Sequence, residues 1–161
     1  SRRRQRQMCI RDRFEGTVTA VGDGYRLDLG DQSLRLDASV IDGNEPLRAH
    51  LDQPVVVGVR PEDLEDASIA TDHPDDQRID ATIDVREALG AETLVHFGLA
   101  APHVDSGDPD ALDELGDETT SRCTGRFSPE SRLRIGDAVR VNVNTNKLHF
   151  FDRATHLAIR A

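Results

Sequence analysis

Tryptophan is absent from this 161-residue chain, tyrosine occurs once, and aromatics make up 4% of it. A core must therefore rest on Val, Ile, Leu and Ala. There are only two cysteines, Cys9 and Cys123, far apart and in no CxxC-type arrangement. That argues against a disulfide framework or a cysteine zinc site and fits a reducing cytoplasm. No run approaches the roughly 18 apolar residues of a membrane-spanning helix, and no apolar stretch near the start resembles a secretory signal. Lysine is nearly missing, since Lys147 stands alone beside 19 arginines. It follows Asn146, so no G-x-x-x-x-G-K-[ST] phosphate loop can be written, and no apolar strand ending in paired acids is present. The six histidines show no HExxH or paired metal-ligand spacing, and there is no G-x-S-x-G elbow. Acidic pairs such as Asp75-Asp76 fall in loop-like sequence and read as solvated surface rather than as general acid and base. No catalytic, cofactor-binding or metal-binding residue is assigned, and a free-standing hydrolase is disfavoured.

What the chain has in plenty is acid. Thirty acidic residues face 20 basic ones, for a net charge of −10, and Asp outnumbers Glu 21 to 9. Such a surface keeps a protein soluble where molar salt shortens the Debye length to roughly 3 Å, which points to a salt-rich, halophilic cytoplasm. It also argues against nucleic acid as a partner, because phosphate neutralisation needs a clustered basic face. Residues 1–13 break the pattern, with six Arg against one Asp, a local charge of +5 where the remaining 148 residues carry −15. A basic arm for phosphates or lipid headgroups is one reading. The other, adopted here, is a non-native or artefactual basic tail, outside the fold.

From Phe14 onward the pattern has period two. Val18, Tyr25, Leu27, Leu29, Leu34 and Leu36 alternate with polar residues around turns at Gly22-Asp23-Gly24 and Gly30-Asp31-Gln32, which predicts an antiparallel meander. Residues 42–54 are turn-rich, with one helical turn placed at residues 47–51, before a buried strand at residues 55–59 that ends at Pro61. Residues 63–76 read as an acidic surface loop, and a boundary falls near residue 77. Ile79, Ala81, Ile83 and Val85 alternate cleanly, and the Leu89-Gly90-Ala91 turn leads to a strand over residues 92–99. Residues 102–120 read as a solvated insertion with seven acids. Strands follow at residues 121–127, 138–143 and 148–151, then a short terminal helix or strand. Val55, Val57, Val59 and Leu64 recur 84 residues later as Val139, Val141, Val143 and Leu148, which suggests two related barrel-like halves, residues 14–76 and 77–161, intertwined with each other.

The segment Val57-Gly58-Val59-Arg60-Pro61-Glu62-Asp63-Leu64 resembles the G-[IV]-R-P-E-x-[LI] signature of the C-terminal regulatory domain in maltose-type and glycerol-phosphate-type ABC importer ATPases. EALGAETLVHF, residues 87–97, resembles that family's E-x-LG-x-E-T strand pair, and residues 136–152 resemble its GD-x-V ending with Leu-His-Phe-Phe-Asp. The resemblance covers most of residues 14–157 and implies an all-β, antiparallel fold, a pair of OB-like β-barrels of the transport-associated (TOBE) type. It marks Gly58, Arg60, Pro61, Glu62, Gly90, Glu92, Thr93, Gly136, Asp137, His149 and Phe151 as structural or regulatory motif residues. Arg60 can fork onto Glu62 or onto carbonyls at the barrel end, and His149 falls on the face opposite Leu148 and Phe150.

By that resemblance the parent protein would be an ATPase, with ATP and Mg as its cofactors, driving import of a sugar or related solute. This chain would be a fragment, its regulatory and dimerisation domain, with the ATPase domain absent. Its partners would be itself as a homodimer, the parent ATPase domain and, through the parent, the membrane permease subunits. Its location would be the cytoplasm, peripheral to the inner face of the membrane. The alternative is a module sensing a small ligand or oxyanion, for which the available basic residues are Arg132, Arg134 and Arg140.

Overall fold

The structure, a computed structural model, describes residues 12–99 and 121–160. Its first three strands, β1 (Asp12–Val21), β2 (Gly24–Leu29) and β3 (Gln32–Leu36), form the antiparallel meander that the alternation predicts. Each connecting loop opens on a glycine of positive φ, Gly22 at 59° and Gly30 at 60°. A type II′ hairpin needs that backbone at its first central position, where a side chain would be strained. Phe14, Val18, Leu27, Leu29, Leu34 and Leu36 all end up buried.

β1 starts inside the stretch set aside as a basic tail, because Asp12 pairs with Val59 and Arg13 with Gly58. Arg13 is buried, with its guanidinium 4.2 Å from the centre of the Phe151 ring, so an aromatic face replaces part of its solvent. The remainder of that stretch, residues 1–11, lies outside the described residues.

Two short helices follow, α1 (Ala38–Asp42) and α2 (Glu45–Arg48), earlier in the chain than the helical turn expected at residues 47–51. Pro46 lies in the first turn of α2, where its fixed φ suits a helix start and its missing N–H costs nothing. Ile41 and Leu47 tie the helices to the core. The valine run forms β4 (Pro54–Val59), and a 3-10 turn, Pro61–Asp63, leads at once into β5 (Leu64–Asp66). Residues 63–76 are therefore not all loop. Leu64 and Asp66 are buried against Val143 and Val141, a strand too short and too acidic for its period to show.

The remaining strands are β6 (Arg78–Ala88), β7 (Thr93–Leu99), β8 (Ser121–Phe127), β9 (Ala138–Val143) and β10 (His149–Phe151). The insertion expected at residues 102–120 lies outside the described residues. Among the described residues after β10 there is neither a helix nor a full strand, only a single bridge between Phe151 and Ala158. The strands form two five-stranded sheets, ordered β10-β4-β1-β2-β3 and β5-β9-β6-β7-β8. β5 thus leaves the first half to join the second sheet, and β10 leaves the second half to join the first. Each crossing has the same parts, a valine strand (β4 or β9), a 3-10 turn (Pro61–Asp63 or Thr145–Lys147) and a short strand. The two crossings touch, since the Asn144 N–H donates to the Asp63 carbonyl at 3.0 Å.

One apolar cluster spans both sheets, with Phe14, Leu27 and Val57 from the first meeting Ile79, Val95, Phe97, Phe127 and Val141 from the second. Gln32 bridges the sheets at the rim. Its side-chain amide donates to the Asp80 carbonyl at 2.9 Å and accepts from the Asp80 N–H at 2.6 Å, so one side chain takes the place of a strand neighbour. Cys123 is a buried residue of β8, and burial first, then the Asp12 carboxylate, push its thiol well above the ordinary cysteine range. A Cys9→Ser variant is accordingly expected to show no thiol reactive to Ellman's reagent until denaturant is added. Fast labelling of the native protein would contradict that burial.

Candidate functional site

The motif residues fall into three places. At one end of the first sheet, Gly58 on β4 lies between Arg13 on β1 and His149 on β10. Directly paired residues share a face, so Arg13 and His149 flank a position that has no side chain. Beside them Phe151 packs on Val56 and Ala158 in a small apolar cluster separate from the main core. Arg60 follows β4 directly, half-buried, with its Nε out of contact with solvent and without a hydrogen-bond partner. It does not fork onto Glu62. The turn Pro61–Asp63 is closed by the Asp63 N–H donating to the Arg60 carbonyl at 3.0 Å. Arg60 is the extended residue just before that turn, and the Asp63 carboxyl is raised, by burial first and then by exposed Glu62, with Arg60 and Lys147 opposing.

His149 is surrounded by cations. Burial, then Arg60, Arg160 and Arg13, hold its pKa below the ordinary 6.5. A histidine with a lowered folded pKa binds fewer protons folded than unfolded. Its contribution to stability is therefore complete above 6.5 and is lost as pH falls through the folded value. Urea unfolding at about pH 7.5 and about pH 5 should show the loss, and His149→Gln should make the slope shallower. An identical slope in the variant would mean that His149 does not carry it.

The second place is the turn between β6 and β7. Gly90 adopts φ 81°, and Thr93 is buried opposite Ala88 and Phe127. Glu92 pairs across to Arg126 on β8 at 2.8 Å, a partly exposed bridge worth little on its own. The third is the turn before β9. Gly136 adopts φ 90° and its N–H donates to the Ile83 carbonyl at 2.7 Å, while the Asp137 carboxylate accepts from the Arg134 N–H at 2.8 Å. These two residues fasten the segment carrying Arg132 and Arg134 over β6.

That fastening builds a cleft. Ser68, Ile69, Arg86, Pro129, Glu130, Ser131 and Arg132 line an open hollow of about 770 Å³. An adjoining hollow of about 520 Å³ shares Arg86 and Arg132 and adds Leu133, Arg134 and Ile135. Arg86 reaches it because β6 is irregular. Ile83 pairs with Phe97 but Val85 pairs with His96, so Asp84 is an extra residue, and Arg86 instead of Val85 lands opposite buried Val95. The alternation expected through Val85 breaks at that bulge. Behind the cleft, buried Asp66 accepts from the Ser68 N–H at 2.9 Å, the Ser68 hydroxyl at 2.8 Å and the Ser131 hydroxyl at 2.8 Å.

Of the basic trio noted in the sequence, the structure brings together Arg132 and Arg134 but not Arg140. The Arg140 guanidinium lies 3.2 Å from Asp80 and 3.6 Å from Asp75, carboxylates distant in sequence or on a neighbouring strand. Arg86 takes its place, and the only sequence signal for it is the hydrophilic Asp84-Val85-Arg86-Glu87 end of an otherwise alternating strand. Among the described residues no group of three or more His, Cys, Asp or Glu is placed to hold a metal ion.

No family profile matches the chain. Over 147 residues it is 29% identical to the trehalose import ATP-binding protein SugC of Mycobacterium tuberculosis, a match covering 86% of this chain and 35% of that protein. It is 31% identical over 138 residues to the trehalose/maltose import ATP-binding protein MalK of Thermococcus litoralis, covering 85% and 32%. Over 142 residues it is 28% identical to the sn-glycerol-3-phosphate import ATP-binding protein UgpC of Ralstonia nicotianae, covering 87% and 32%. The chain spans about a third of the length of these curated relatives. Among solved structures, the cytoplasmic molybdate-binding protein ModG with molybdate bound is similar in fold, with a TM-score of 0.51 at 15% identity over 88% of this chain and 95% of that one.

Proposed function

We propose, on the premise that this chain is related to the ATP-binding proteins of ABC sugar importers and has the OB-like transport-associated fold, that it is the regulatory and dimerisation domain of such a subunit. The observation that carries the reading is the match to import ATP-binding proteins over 86% of the chain. The geometry agrees with a scaffold role. The motif residues Gly58, Arg60, Gly136 and Asp137 sit where the chain crosses between the sheets or where turns are fastened. ATP, magnesium and the energy of transport are proposed to belong to the part of the relatives beyond the matched segment. In this reading the subunit works on the cytoplasmic face of the membrane with permease partners, taking up a sugar or related solute. The acidic surface suits a salt-rich cytoplasm.

Two subunits held together while their nucleotide sites open and close need a self-complementary patch on a two-fold axis. Light scattering of the purified chain over a range of concentrations in molar salt is expected to give the mass of a dimer. A strict monomer at the highest concentration would remove the dimerisation role. ATP hydrolysis by the chain alone would remove the assignment of catalysis to another part of the protein.

A further inference from the structure

We propose that the cleft between β6 and the loop before β9 is a binding site for a phosphorylated sugar or polyol. The inference goes beyond the importer reading and does not require it. Three features of the cleft carry it.

The first is charge. Arg26, Arg35, Arg48, Arg78, Arg126, Arg140 and Arg153 each have a carboxylate within ion-pair distance. Among the described residues Arg86, Arg132 and Arg134 have none, as Arg60, Arg122 and Arg160 also have none, but these three line one cleft, in a chain where acids outnumber bases 30 to 20. The three guanidiniums share the cleft with one carboxylate, Glu130, so positive charge is in excess there, and Arg86 has in addition a buried Nε with no partner. A phosphate monoester supplies both missing elements, charge and acceptor oxygens arranged for the planar guanidinium fork.

The second is the direction of the serine hydrogen bonds. Ser68 and Ser131 each commit their single hydroxyl proton to Asp66. Toward the cleft they can only accept, and the Glu130 carboxylate on the same wall can only accept as well. Acceptors beside cations suit a ligand that has hydroxyl donors as well as an anionic group. A bare oxyanion would gain nothing from them.

The third is size. At about 770 Å³ the hollow is in the range of about 300–1,000 Å³ that organic ligands occupy, with Ile69 and Pro129 as its apolar wall and Leu133 and Ile135 lining the adjoining hollow. A single tetrahedral anion would leave most of it to water.

Calorimetric titration of the full chain at constant ionic strength tests the site with three probes: glucose 6-phosphate, glucose and inorganic phosphate. Saturable binding of glucose 6-phosphate is expected, with inorganic phosphate at least about tenfold weaker and glucose silent. Arg86→Met, which keeps the apolar stem, and Arg132→Gln, on an exposed side chain, should each weaken glucose 6-phosphate at least about tenfold. Arg140→Gln, held elsewhere by Asp75 and Asp80, should change it little. Circular dichroism checks the fold of each variant, and if Arg86→Met does not fold, Arg132→Gln decides. The proposal is overturned by absence of saturable glucose 6-phosphate binding, by equal affinity for inorganic phosphate, or by binding that the folded arginine variants leave intact.

Discussion

Replacing Phe14 with alanine lowers the free energy of unfolding by about 3–5 kcal/mol, the range for a large aromatic removed from a rigid core. Phe14 is fully buried on β1 and faces the seam between the sheets, where Val59 of β4 meets Leu64, Ile79, Leu99, Cys123 and Val143 of the second sheet. The space left among these side chains is about 10 Å³, so nothing there is poised to move into the vacated ring volume. With no tryptophan in the chain, urea unfolding is followed by far-ultraviolet circular dichroism. A loss under about 1 kcal/mol would mean that the sheets close over the gap, and that the seam is softer than its packing indicates. Phe14→Leu, which keeps much of the volume, should cost markedly less.

Asp66→Ala is the second large effect, expected at about 2–4 kcal/mol because hydrogen bonds to a charged acceptor are worth about 1.5–3 kcal/mol and a buried donor is orphaned. Asp66 ends β5 fully buried, with no cation within ion-pair distance, and its carboxylate rests on hydrogen bonds from Ser68 and Ser131. Without it the Ser131 hydroxyl, itself buried, loses its acceptor, and the turn after β8 keeps only the Ser128 N–H to Glu65 hydrogen bonds to β5. Asp66→Asn retains a carbonyl oxygen in the same place and is expected to recover at least half of the loss. Equal destabilisation by Ala and Asn would show that the charge, and not the hydrogen-bond network, holds this turn.

Most strands could be read directly because their inward residues are Val, Leu, Ile or Phe at period two, as in β1, β4, β7 and β9, and their turns carry glycine where φ is positive. Other features were hidden, for reasons that lie in tertiary structure. β5 has one buried leucine between acids, and only its pairing with β9 makes Leu64 and Asp66 interior residues. The extra residue at Asp84 leaves the composition of β6 unchanged yet exchanges the faces of Val85 and Arg86. Arg140 reads as one of a basic trio until the fold brings Asp75 and Asp80 to it. Charge alone places the start of β1 in the basic tail, because no local pattern announces that Arg13 lies over Phe151. The strand alternation therefore outlined the barrels, whereas the candidate cleft depended on a bulge and on a loop fastened from a distance.

The paired crossings of β5 and β10 have a further consequence. Each half lends the other an arm, as two protomers do in a swapped dimer, but here the exchange takes place within one chain. Neither sheet then can be kept whole by one stretch of the chain while the other melts. The molecule should behave as one cooperative unit in heat, with a single calorimetric peak, although its strands lie in two sheets. A change in one barrel is felt in the other through strands that belong to both.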